Sequence, residues 1–127
     1  MKRLLLIISI VVLLYTSAFA GGANVYKSTV VSAENTWTDP LYVKAGSSID
    51  VSIYNLNSMS ATIKLQRKFP EESLWGHEVD SWDVTTSSVD IEHITKAGAG
   101  DAYYRIGCPT GGYTSGNCTV RIGQYRY

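Results

Sequence analysis

The strongest constraint on this chain is an alternation of period two. In SSIDVSIYNL (residues 47–56), Ile49, Val51 and Ile53 fall on one side and Asp50, Ser52 and Tyr54 on the other. In SATIKLQRKF (residues 60–69), Ala61, Ile63 and Leu65 alternate with Thr62, Lys64 and Gln66. Successive side chains of an extended chain point to opposite faces, so each segment is expected to be a strand with one buried face. NLNS (residues 55–58) lies between them and reads as a hairpin turn.

The rest of the chain follows the same rule. NVYKSTVVSA and DPLYVKAGS supply one or two early strands. HEVDSWDV, SSVDIEHI, AYYRIGC and NCTVRIGQ supply four more, separated by PEESLWG, KAGAGD and a Gly/Ser/Thr-rich stretch. Seven or eight short strands, with turn residues recurring every ten or so positions, predict an all-β fold: an antiparallel sandwich of Ig-like or jelly-roll type. Helix signals are few, and there is no internal repeat or linker.

The N-terminus has a different character. Lys2 and Arg3 precede an apolar run over residues 4–14, and Ala18-Phe19-Ala20 matches a small-x-small cleavage pattern before Gly21. This is the layout of a secretory signal peptide, with an uncleaved anchor as its alternative. Residues 1–20 are therefore read as a leader and 21–127 as one domain, which places the protein in the periplasm, at the cell surface or outside the cell. Removing 20 of 127 residues leaves 107, enough for one modest core. The leader removes two of the eleven basic residues and none of the eleven acidic ones, so the remainder is slightly acidic. A nucleic-acid partner has no cationic footprint here, and the membrane enters only through an uncleaved leader.

The two cysteines, Cys108 and Cys118, flank PTGGYTSGN. If AYYRIGC and NCTVRIGQ pair as a hairpin, both thiols leave the sheet on one side at the loop end, where a cross-strand disulfide fits an oxidising compartment. Two buried free thiols are the alternative. A redox C-x-x-C is absent, and a zinc site would need both His77 and His93 as further ligands.

No catalytic constellation assembles. His77 and His93 fall on strands with outward side chains, and adjacent Glu71 and Glu72 point apart on extended chain. The expectation is a protein without enzymatic activity or cofactor. The aromatics carry the one functional hint in the composition. Trp82 sits in mid-strand and is read as core. Trp37, Trp75 and Tyr113 lie near loops or strand ends, where exposed rings stack on sugars or anchor protein interfaces.

In order, AENTWTDPLYVKAG, VSIYNL, SATIKLQRKF, EVDSW and YYRIGCPTGGYTSGNCTVRIGQ resemble a group of small β-sandwich proteins of bacteriophage genomes, taken to be virion structural or decoration components. The likeness spans roughly residues 33–124, and the LQR strand here runs into KFPEESLW rather than a glycine-rich turn. It implies a structural role with capsid, tail or cell-surface protein partners, in the virion or at an exported surface, and it brings no catalytic residues. On that reading the loop over residues 109–117, with Tyr113 at its tip, presents a contact surface. A secreted carbohydrate-binding module, with Trp37, Trp75 and Tyr113 as sugar platforms, is the second reading.

Overall fold

The computed structural model describes residues 25–85 and 87–125, so the leader and its Ala18, Ala20 and Gly21 lie outside the described residues. Eight strands form: β1 (Val25–Val31), β2 (Thr36–Trp37), β3 (Leu41–Val43), β4 (Ser48–Lys68), β5 (His77–Thr85), β6 (Ile91–Lys96), β7 (Ala102–Cys108) and β8 (Tyr113–Tyr125). Every pairing is antiparallel, and no helix occurs among the described residues. The all-β fold read from the alternation is the fold observed.

The connectivity differs from that reading in two places. NLNS is no hairpin turn: residues 48–68 are one continuous strand, β4. β7 and β8 do not pair with each other either. Both run antiparallel to β4 on the same side of it, β7 along Lys64–Lys68 and β8 along Ser48–Ala61. β5 and β6 occupy the other side in the same way, opposite Ser60–Arg67 and Ser48–Ile53. β1 pairs with β8, while β2 and β3 pair with β7.

The chain therefore makes four long passes: β1 to β3, β4, β5 with β6, and β7 with β8. Their order across the sheet is first, fourth, second, third. This long sheet is folded over on itself. Asp80 of β5 and His93 of β6 are thirteen residues apart on one pass, which straight strand would spread over roughly 40 Å. Instead His93 Nε2 lies 3.6 Å from Asp80 Oδ2, and the Trp82 ring meets the His93 ring edge-on at 6.0 Å.

The crease is written in the backbone. Asn35, Asn55, Ser58, Gly111 and Gly116 all have positive φ, and all lie where their pass bends. Only Gly46, in a turn, has positive φ elsewhere among the described residues. The β4–β8 ladder shifts register between Tyr54 and Ala61. Bulges of this kind add bend and twist to a strand, and they let β4 cross from one layer into the other.

Folding the sheet makes the core. Ile49, Val51 and Ile53 from the first half of β4 and Ala61, Ile63 and Leu65 from its second half belong to one buried cluster, with Tyr104, Ile106, Val120 and Ile122 from the flanking pass. Each fully buried large aliphatic contributes about 1.5–3 kcal/mol, which is the main force closing the fold. Asp50 and Ser52 point outward as read, yet both are buried under Arg121, whose Nη2 is 3.6 Å from Asp50 Oδ2 and 3.5 Å from Ser52 Oγ.

At the open end, two short turns cross between the layers. Residues 44–47 join β3 to β4, and residues 97–101 join β6 to β7. They bond to each other through Gly46 N to Gly98 O and Ala97 N to Ser47 O. Asp101 fastens them: its carboxylate accepts from Ala45 N at 2.8 Å and from the Tyr42 hydroxyl at 3.2 Å, with Lys44 Nζ at 3.7 Å.

Candidate functional site

The outer face of the layer built by β2, β7 and the second half of β4 carries a cationic–aromatic cluster. Arg105 stands on β7 directly opposite Gln66 of β4. Gln66 Oε1 accepts from both Nε (3.0 Å) and Nη2 (2.8 Å) of that guanidinium, which orients its plane. The guanidinium carbon then lies 4.0 Å from the Trp37 ring centre and 4.5 Å from the Trp75 ring centre. Lys68 Nζ approaches the Trp75 ring at 5.3 Å. A guanidinium this close over an indole ring makes a favourable cation–π contact. Partial burial lowers the Arg105 pKa, but a guanidinium stays charged at any physiological pH.

Each member is positioned by local chemistry. β2 is only two residues long and reaches Trp37 to β7 because its partner there is Gly107. A Cβ on Gly107 would lie 2.1 Å from Thr36 O and 2.7 Å from Trp37 Cα, so only glycine admits this approach. Thr38 then secures the strand, donating its backbone N–H to Ile106 O at 3.0 Å and accepting from Ile106 N through its hydroxyl at 3.1 Å. Trp37 Nε1 donates to Asn35 Oδ1.

Trp75 sits in the β4–β5 connection, which Glu72 braces. Glu72 accepts from Phe69 N at 3.1 Å and meets His77 Nε2 at 2.8 Å. The bond from His77, ahead of that from Phe69 N, holds the Glu72 carboxyl below its ordinary pKa. Phe69 packs edge-on against His77 and under Arg67. His77 is thus a half-buried brace rather than an outward histidine, and His93 is likewise engaged, with Asp80 and Trp82.

The structure therefore unites two of the three aromatics named from the sequence and separates the third. Tyr113 is not a loop tip. It opens β8 opposite Ala61, packs against the core, and donates its hydroxyl to Gly116 O at 2.8 Å. Arg105 and Gln66, which hold Trp37 and Trp75 together, were missed, since YYRIG reads only as a strand. Trp82, read as core, is half-buried and packed against the core cluster.

The disulfide expected across a β7–β8 hairpin is not formed: Cys108 and Cys118 are both buried and free. The reason lies in the connectivity. β7 and β8 follow one another along β4, so the two cysteines are not cross-strand partners: Cys108 opposes Thr36 and Cys118 opposes Val31, although Cys108 is near enough to add to the raised pKa of Cys118. Burial raises both thiols, Cys118 to about 11. Among the described residues, no group of three or more His, Cys, Asp and Glu side chains is placed to hold a metal ion, and no helix is long and apolar enough to cross a membrane.

No family model and no curated protein matches the chain. Among solved structures it is similar to a chain of the acidic stable capsid of the Helicobacter pylori bacteriophage KHP30, with a TM-score of 0.43 and 11% identity over 81% of this chain and 87% of that one. A likeness that distant says nothing about what this chain binds.

Proposed function

We propose that this chain is a non-enzymatic structural protein that acts by docking to other proteins, as a virion component or as the decoration of an exported surface. The observation that carries this reading is the Trp37–Arg105–Trp75 cluster. Its side chains are of the types that dominate protein–protein binding energy, and they are held before any partner arrives, which reduces the entropy lost on docking. The indole faces turned to Arg105 are already occupied, which leaves less of each ring for stacking on a sugar. The motif resemblance to phage β-sandwich proteins points the same way, and the leader-like residues 1–20 would deliver the chain to an envelope or cell surface.

The test is peptide mass spectrometry on purified virus-like particles and on cell envelope from the source, followed by re-binding of purified protein. Recovery in either fraction, with re-binding lost in Trp37→Ala and Trp75→Ala, is the expected result. The N-terminal peptide in each fraction tells export from virion assembly. Absence from both fractions would end this reading.

A further inference from the structure

We infer that copies of this chain associate head to tail, the Trp37–Arg105–Trp75 face of one copy receiving the acidic edge around β6 of the next. The inference rests on the docking role proposed above and names the partner as a second copy.

The receiving face is only partly used within one molecule. Gln66 takes the Nε proton and one Nη2 proton of Arg105. The remaining edge, Nη1 with the second Nη2 proton, is the fork that matches a carboxylate in two parallel bonds. No hydrogen bond or ion pair among the described residues uses that edge. Lys68 adds a second cation over Trp75, and the neighbouring Leu74 is 78% exposed.

The donating edge presents two carboxylates, with Lys96 at the far end of the strand and Arg121 lining the same groove. Among the described residues β6 pairs with β4 alone, so its other backbone edge is unpaired there. Asp90 and Glu92 there are exposed, and neither is ion-paired among the described residues. Beside them Val89 is 81% and Ile94 62% exposed, among the most exposed large apolar side chains described. An open strand edge with exposed aliphatics is a natural association site.

Each surface thus offers exposed apolar area, and the carboxylates of Asp90 and Glu92 on one are the complement of the Arg105 and Lys68 cations on the other. Within one molecule no hydrogen bond or ion pair among the described residues joins Asp90 or Glu92 to Arg105: β6 lies along the first half of β4, and the cluster stands on the outer face of the second half. A symmetric dimer through the cluster would oppose two guanidinium faces, which like charges disfavour. The contact is therefore between unlike surfaces, and such contacts build rings or open rows rather than closed dimers.

Sedimentation velocity on the full chain, at rising concentration and at two salt levels, tests this. Wild type should grow beyond monomer as concentration rises, and less so in high salt. Arg105→Ala and the double variant Asp90→Asn/Glu92→Gln should each associate at least about tenfold more weakly. Their equimolar mixture should form dimers and stop there, since one intact face meets one intact edge and no extension is possible. Circular dichroism melts confirm that each variant is folded, and the β6 variant keeps the test alive if Arg105→Ala does not fold. A wild type that stays monomeric, variants that associate like wild type, or a mixture that stays monomeric would each overturn the inference. Particle or envelope binding by a monomeric wild type would overturn it while leaving the docking role intact.

Discussion

Gly116 of β8 lies so close to Ser58 of β4 that a Cβ on it would sit 2.2 Å from the Ser58 carbonyl oxygen and 2.4 Å from that of Asn57. Both chains are bending at this point, and Gly116 has a φ of 76°. Alanine there meets two obstacles at once: a left-handed backbone and a backbone-to-backbone clash. Gly116→Ala is therefore expected to lower unfolding free energy by about 2–4 kcal/mol, more than the ~1 kcal/mol that strained φ alone accounts for. Urea melts measure it. A loss under ~1 kcal/mol would show that the crease relaxes.

Gly107→Ala tests a different consequence of close approach. Here φ is ordinary, and the obstacle is β2 itself. The edge strand should move out, carrying Trp37 from Arg105. The expected signature is increased acrylamide quenching of tryptophan fluorescence, with a stability loss of about 1–2 kcal/mol because β2 is short. Arg105→Ala should raise quenching similarly at comparable cost, set by cation–π contacts of ~0.5–1 kcal/mol each. Both should fall below Ile63→Ala in the core, at about 2–5 kcal/mol. Quenching unchanged in both variants would mean that the cluster does not form in solution.

The turn-fastening carboxylate predicts an acid response. The Ala45 N–H is the largest influence holding Asp101 below its ordinary pKa, with the Tyr42 hydroxyl and Lys44 adding to it against desolvation. Glu72 is lowered in the same direction. A carboxyl with a depressed folded pKa stabilises the protein above its unfolded pKa, near 4, and that contribution fades as pH falls through the folded value. The melting temperature should accordingly drop below about pH 4. Asp101→Asn should be less stable than wild type at pH 7 and should lose less on acidification. Equal slopes in the two proteins would remove Asp101 from this account.

Both thiols should be silent in the folded state. Cys118 is 1% exposed and its pKa is pushed up to about 11, so reactive thiolate is scarce at neutral pH. Reduced protein should take no label from a charged alkylating agent until denaturant exposes the core, and then both cysteines should label together. Rapid labelling of either one in native buffer would contradict the packing described.

Much of this architecture is legible in the residues. The inward set Ile49, Val51, Ile53, Ala61, Ile63 and Leu65 follows from alternation alone, because one buried face imposes period two. What alternation lacks is pairing order. NLNS carries the asparagines and TGGYTSG the glycines of tight turns, and both do adopt left-handed backbone. In each case the chain bends and continues instead of reversing, and that choice depends on neighbours more than fifty residues away, such as Gly116 against Ser58. The same gap hid Arg105. Its outward position is readable, but its place between Trp37 and Trp75 requires knowing that β7 lies between β2 and β4.

The alignment of bends across all four passes also governs how such a chain can change length. A residue inserted within a paired segment would turn every later inward side chain of that segment to solvent. At the crease the ladder is already out of step, so away from the close contact of Gly116 with Ser58 an added or lost residue need not turn the flanking inward side chains to solvent. Length differences among relatives of this protein should collect in four narrow windows, near residues 32–35, 55–57, 87–90 and 109–112, even though each lies midway along a pass rather than in a connecting turn.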